Sequence, residues 1–189
     1  MEKNFNLIIN GVGGQGVITL LSLIDQAVMI EGYDVKSSEL HGLSQRGGSV
    51  ETHIRFGKKV YSPLIANGKA DFIISLEILE ALRETVKAGN QTKFLINDFL
   101  SPFQGSLSEK EIKSQLGLVK NEKYFVSASK ICKEKLQNEI VGTLYILGYA
   151  INNNLIPIKK ESVLKAIENI IPEKYKEINI KAFKLSHDN

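Results

Sequence analysis

Hydrophobic positions change period along this chain, and the changes mark out its elements. Phe5 to Ile9 is a short apolar run with the character of a buried strand, and it leads through Asn10 into Gly11-Val-Gly-Gly-Gln-Gly16. Beyond the glycines, Val17, Leu20, Leu21, Ile24, Ala27 and Val28 recur at spacings of 3, 4, 7 and 8. That pattern predicts one apolar stripe on a helix ending near Gly32. Tyr33 to Ser38 reads as a second strand, so this opening has the form of a parallel βαβ crossover. Glu39 to Ser49 has neither period and is expected to be a loop. Val50 to Phe56 alternates, with Val50, Thr52, Ile54 and Phe56 on one side and Glu51, His53 and Arg55 on the other. A turn at Gly57-Lys58-Lys59 and a short Val60-Tyr61-Ser62 strand would complete an inserted hairpin.

The βα alternation then resumes. Asp71 to Ser75 is expected as a strand, Leu76 to Lys87 as a helix closed by Ala88-Gly89, and Thr92 to Asn97 as the next strand. Residues 98 to 123 are mainly connection, with a helix start at Ser108-Glu109-Lys110-Glu111. Tyr124 to Val126 is a last short strand. Helices follow from Ser127 or Ser129 to Lys135, from Ile140 to Asn152, and from Lys160 to Ile170, the last bracketed by Pro157 and Pro172. The expected fold is α/β and Rossmann-like: a mostly parallel sheet with a glycine-rich βαβ loop, an inserted β-hairpin and additional C-terminal helices, in one domain over 1–189.

Composition narrows the function classes. Lys plus Arg number 24 against 21 Asp plus Glu, a net charge of only +3, and the lysines are scattered, which gives little support to nucleic-acid binding. A single cysteine, Cys132, excludes an internal disulfide and a cysteine-ligated zinc or iron–sulfur centre built by this chain alone. Between Ile131 and Lys133 on an expected helix, with no electropositive helix start or nearby His, it reads as a small buried filler rather than a nucleophile. No apolar run reaches the roughly 20 residues of a membrane span. The first residues lack the basic and apolar regions of an export signal, so a cytoplasmic location is expected, with no membrane partner.

Candidate chemistry lies in two stretches. Gly11, Gly13 and Gly16 have the spacing of a dinucleotide loop, where a missing Cβ lets the turn close and a phosphate approach the backbone. Amides from Gly13 to Gly16 at a helix start would attract an anion. Gly14 and Gln15 are additions to the minimal pattern. Glu39, 23 residues after Gly16, stands near the place of a ribose-binding acid. Equally, such glycines serve as purely structural turns.

The second stretch contains Glu39, His41, Ser44, Gln45, Arg46, Gly47 and Gly48. Arg46 offers a planar fork for a carboxylate or phosphate, or it pairs with Glu39 or Glu51 while the glycines only permit a tight turn. His41 is a general-base or partner-contact candidate set against a structural reading. His53 reads as strand surface or interface. His187 lies in the tail without an evident role.

Gly11-Val-Gly-Gly-Gln-Gly16 followed by Ser38-Glu-Leu-His-Gly-Leu-Ser-Gln-Arg-Gly-Gly-Ser-Val50 resembles the gamma subunit or domain of 2-oxoacid:ferredoxin oxidoreductases. Within that family it is most similar to the small beta subunit of the indolepyruvate ferredoxin oxidoreductases, and Glu177-Ile-Asn-Ile-Lys-Ala-Phe183 matches the family's C-terminal motif. The resemblance implies a subunit, inactive alone, of an enzyme of the EC 1.2.7 type that converts a 2-oxoacid and coenzyme A to acyl-CoA and CO2 while reducing ferredoxin. Thiamine diphosphate, Mg and 4Fe-4S clusters would belong to a larger partner subunit. The resemblance assigns no catalytic residue and no metal ligand to this chain. Two rival readings are a stand-alone nicotinamide- or flavin-binding Rossmann oxidoreductase and a non-catalytic scaffold whose loops only dock the partner.

Overall fold

The computed structural model describes residues 3–42, 47–101 and 107–186. Six strands form one sheet: β1 (Phe5–Val12), β2 (Asp34–His41), β3 (Ser49–Gly57), β4 (Ala70–Ser75), β5 (Ala88–Asn97) and β6 (Lys123–Val126), in the order β2-β3-β1-β4-β5-β6. β1, β4, β5 and β6 pair in parallel, and β3 runs antiparallel to both of its neighbours. The mostly parallel α/β expectation therefore holds.

Helix α1 (Val17–Ile30) follows the glycine loop, as the 3.6-residue period requires. α2 (Ile78–Arg83) runs into a 3-10 turn, Glu84–Lys87. α3 (Glu109–Leu118) opens on a capping box in which Ser108 and Glu111 satisfy each other's backbone amides. α4 (Ala128–Leu136), α5 (Gly142–Asn152), α6 (Lys160–Ile170) and α7 (Glu173–Leu185) complete the chain. α6 has the expected bounds. α7 was not foreseen; Pro172 ends one helix and, as the residue before Glu173, starts the next.

Alternate residues of the central strands enter two apolar layers. Leu7, Ile9, Phe72, Ile74 and Leu95 pack with α1 and the C-terminal helices. Ile8, Ile73, Phe94 and Ile96 pack with α2 and α3. Burial on both faces explains why these strands read as continuous apolar runs rather than as alternations.

Two expectations need correction. The hairpin is not Val50 to Ser62: Val50 to Phe56 pairs with β2, from Asp34↔Gly57 to His41↔Val50, and Val60-Tyr61-Ser62 forms no strand. There the Val60 N–H donates to the Asp34 carboxylate at 2.8 Å and the Ser62 carbonyl accepts from Arg55 at 2.9 Å, so side chains satisfy that segment's backbone. The same pairing places Glu39 and His41 in β2 rather than in a loop, and puts β3 between β2 and β1.

Candidate functional site

The first crossover carries the chain to the left of β1 and the β4–α2–β5 unit carries it to the right. The C-terminal edge between β1 and β4 is thus the point from which the sheet is wound in both directions. The glycine loop lies there. Gly14 (φ +101°) and Gly16 (φ +87°) adopt left-handed backbone that residues with a Cβ rarely tolerate. Gln15 closes the turn: its N–H donates to the Val12 carbonyl at 3.0 Å, and its side-chain Oε1 accepts from the Val12 N–H at 2.8 Å. The amide anticipated at the loop's mouth is therefore folded back beneath it. A Cβ on Gly11 would stand 2.8 Å from that same oxygen. From α5, the Thr143 hydroxyl donates to the Gln15 carbonyl at 2.8 Å.

The two candidate stretches meet. The Gly13 N–H donates to the Gly48 carbonyl at 2.8 Å, so the loop after β1 is bonded to the residues that lead into β3. Gly47, at φ +72°, makes the turn just before. Ser44, Gln45 and Arg46 lie outside the described residues. Glu39 is exposed and in register with Thr52, which is in turn in register with Ile9. It stands two strand spacings, about 10 Å, from β1. His41 is likewise separated from Gly11 by Val50. The fold brings Gly11 to Gly16 and Gly48 together but leaves Glu39 on the outer strand.

A cavity of about 160 Å³ opens beside the loop, with room for a phosphate-sized group and its water at about 30 Å³ per water. Gly14 and Gln15 line it at the start of α1, Ser129 at the start of α4, and Thr143 at the start of α5. In none of these three helices does the N-cap residue's own side chain bond the first turn, although Asn97 Oδ1 accepts from the Ser129 N–H of α4 at 3.4 Å. Each helix brings the partial positive charge of its N-terminus toward the cavity, so the arrangement suits an anion. Asn97, at the end of β5, ties the wall together by donating to the Leu76 carbonyl at 3.2 Å and the Ser129 hydroxyl at 2.8 Å. Glu139 also lines the cavity, and Lys133 offsets its charge from 3.6 Å. Asn97, Ser129 and Thr143 belong to no motif. The available signal was their position at strand ends and helix starts along one sheet edge.

Beneath the loops, the second face of the sheet carries buried acids. Glu77 caps α2 by accepting from the Glu80 N–H at 2.8 Å, and burial pushes its carboxyl above the usual range. Glu80 accepts from the Ser49 hydroxyl and from Arg83 at 2.5 Å. His53 is 1% exposed, which corrects its reading as strand surface: its Nδ1 accepts from the Ile65 N–H at 2.8 Å and its Nε2 bonds Glu51. That bond holds the Glu51 carboxyl below its ordinary value. Among the described residues no group of three His, Cys, Asp or Glu is placed to hold a metal, and no helix is long and apolar enough to cross a membrane.

Cys132 is fully buried on α4, and burial pushes its thiol up to about 11. A disulfide reagent at about pH 8 should therefore label it only as the chain unfolds. Rapid stoichiometric labelling of the native protein would contradict this packing.

Residues 6–188 match the family described as pyruvate ferredoxin/flavodoxin oxidoreductase. The chain is 35% identical to the indolepyruvate oxidoreductase subunit IorB of Pyrococcus horikoshii, covering 97% of this chain and 94% of the relative. It is 28% identical to the common subunit gamma of pyruvate/ketoisovalerate oxidoreductases of Pyrococcus abyssi, covering 92% and 90%. Among solved structures, the pyruvate oxidoreductase subunit PORC of Thermotoga maritima has the same fold, with a TM-score of 0.75 at 17% identity over 99% of this chain and 97% of that one. The fold also recurs inside a longer polypeptide. A 2-oxoglutarate:ferredoxin oxidoreductase of Magnetococcus marinus, solved with 2-oxoglutarate, coenzyme A and succinyl-CoA, matches at a TM-score of 0.76 and 15% identity, over 100% of this chain and 31% of that one.

Proposed function

Because the chain belongs to the pyruvate ferredoxin/flavodoxin oxidoreductase family and is a subunit of a 2-oxoacid:ferredoxin oxidoreductase, we propose that its complex oxidises arylpyruvates such as indolepyruvate, using thiamine diphosphate held by a larger partner. The end-to-end similarity to IorB subunits carries this reading. The overall change is 2-oxoacid anion plus coenzyme A to acyl-CoA, CO2 and one released proton, with two electrons delivered to two ferredoxins. When bound to the partner, thiamine diphosphate supplies the nucleophile and electron sink for decarboxylation, and iron–sulfur clusters carry the electrons.

This chain's residues do not fit an iron–sulfur cluster. Its single thiol is buried and its pKa raised, against the roughly four cysteines of a cluster. The part left to it is binding. The anion-favouring cavity beside Gly14 and Gln15 would hold a phosphate of coenzyme A at the partner's active site, with Arg46, which lies outside the described residues, the candidate charged contact by sequence, and the surrounding edge would dock the partner. A stand-alone dinucleotide enzyme is disfavoured by β3, which separates Glu39 from the glycine loop. The complex would work in the cytoplasm, and the chain alone would be inactive.

The test is purification with the native partner, then ferredoxin or viologen reduction with a panel of 2-oxoacids plus coenzyme A. Electrons should flow only in the complex, and fastest from arylpyruvates. Arg46→Ala in the intact complex should raise the KM for coenzyme A about 10- to 100-fold, the loss expected for a charge-assisted phosphate contact. Unchanged KM values for coenzyme A and 2-oxoacid would sink the cradle, and unaided redox turnover by the isolated chain would sink the subunit reading.

A further inference from the structure

The root of the glycine loop is tied to the buried acids by one side chain. Asn10, the last residue before Gly11, is 1% exposed, and its Nδ2 donates to the Glu80 carbonyl at 3.1 Å and to Glu84 Oε2 at 3.2 Å. The opposite oxygens, Asn10 Oδ1 and Glu84 Oε1, are both buried, and neither has a hydrogen-bond partner. The Ser75 hydroxyl, in register with Asn10 on β4, is buried and unpartnered as well.

An ionised carboxylate offers this cluster acceptors only. It would face a carboxamide oxygen with no proton between them, at the usual cost of a buried unsatisfied acceptor. A carboxyl and a carboxamide are planar groups of matching width, so with the N–H···Oε2 contact made, the two remaining buried oxygens can come to face each other. A proton on Glu84 Oε1 would make that facing pair a hydrogen bond and close a ring.

We infer that Glu84 holds a proton in the folded chain and pairs with Asn10 through two hydrogen bonds, forming a pH-sensitive latch at the root of the glycine loop.

Among the charged neighbours Glu51 favours the neutral acid, and Lys87 and His53 pull more weakly the other way. From β3, Glu51 adds negative charge, and His53 is bonded to Glu51 rather than to Glu84. Lys87, in the same 3-10 turn, pairs with Glu51 at 3.7 Å. From α2, Arg83 is bonded to Glu80. The nearby cations are thus engaged by other acids. Burial first, and Glu51 second, push the Glu84 carboxyl up to about 7. Ionisation as the pH rises removes the ring's donor and leaves Asn10 held on one side. The opposite side of the loop junction rests on the same helix, since Glu80 holds Ser49 next to Gly48.

The experiment uses the full-length chain and its Glu84→Gln variant, whose side-chain amide reproduces the ring of the neutral acid. Carboxyl NMR titration should give Glu84 a midpoint near neutrality, and the Gly11 to Gly16 amide signals should move with the same midpoint in the wild type but not in the variant. A raised native pKa lets the folded state keep a proton that the unfolded state has released, so wild-type stability falls between the unfolded and folded values and levels off above them. The wild-type unfolding constant, relative to Glu84→Gln, should therefore rise on the order of a hundredfold from about pH 5 to about pH 8. A Glu84 midpoint in the ordinary carboxylate range, or a Glu84→Gln chain less stable than wild type above neutrality, overturns the proton assignment. Loop amides indifferent to the titration overturn the latch. If the variant does not fold, the wild-type midpoint alone decides.

Discussion

Truncating Phe183 to alanine is expected to cost about 3–5 kcal/mol, the penalty for emptying a buried aromatic site. Phe183 is fully buried on α7, in the same apolar layer as Tyr145 and Leu147 of α5 and Leu7 and Ile9 of β1. Relaxation is obstructed because the two helices already touch at backbone level. A Cβ on Gly148 would stand 2.2 Å from the Phe183 carbonyl oxygen, so α7 has no room to settle inward there. Since domains are typically stable by about 5–15 kcal/mol, the loss leaves the chain marginal at growth temperature. Denaturant unfolding of the wild type and the variant measures it. A loss under about 1 kcal/mol would mean that α7 is not anchored through this ring.

The second large effect concerns Gly16. Valine there must adopt φ near +87°, and its Cβ would approach the Thr143 hydroxyl oxygen to 3.3 Å. Left-handed backbone costs an L-residue about 1–2 kcal/mol and overpacking adds about 1–3, so a total of about 2–5 kcal/mol is expected. The displaced Thr143 would release the Gln15 carbonyl, so assembly or coenzyme A binding should suffer beyond the stability loss. Measuring KM on whatever complex survives, at a temperature where the variant is folded, separates the two effects. Wild-type stability and wild-type kinetics together would show that the loop does not need this geometry.

How much of this was legible in the sequence depends on whether the determinant is local. α1 and α6 were readable because their apolar periods are strong and glycine or proline marks their ends. α7 was not: its buried positions are few, one of them, Asn179, is polar, and Pro172 reads as a terminator when it also starts a helix. The alternation from Val50 to Phe56 revealed a strand but not its partner, and the long register with β2 prevailed over the nearer Val60 to Ser62 segment. His53 appeared to be surface because alternation assigns one face to solvent, yet β3 is an interior strand with both faces covered. At the site, the glycine spacing identified the loop. Asn97, Ser129 and Thr143 reach the same cavity only through sheet order and helix placement, which leave no signature in local sequence.

The position of β1 also bears on how the chain reaches this state. The first strand ends up in the interior of the sheet, between β3 and β4, whose residues are made some 40 to 70 positions later. Leu7, Ile8 and Ile9 must therefore emerge from the ribosome well before their neighbours exist. Nascent chains should stay sticky and protease-sensitive until β4 has been synthesised, and rapid early collapse would have to begin with the β2–β3 ribbon.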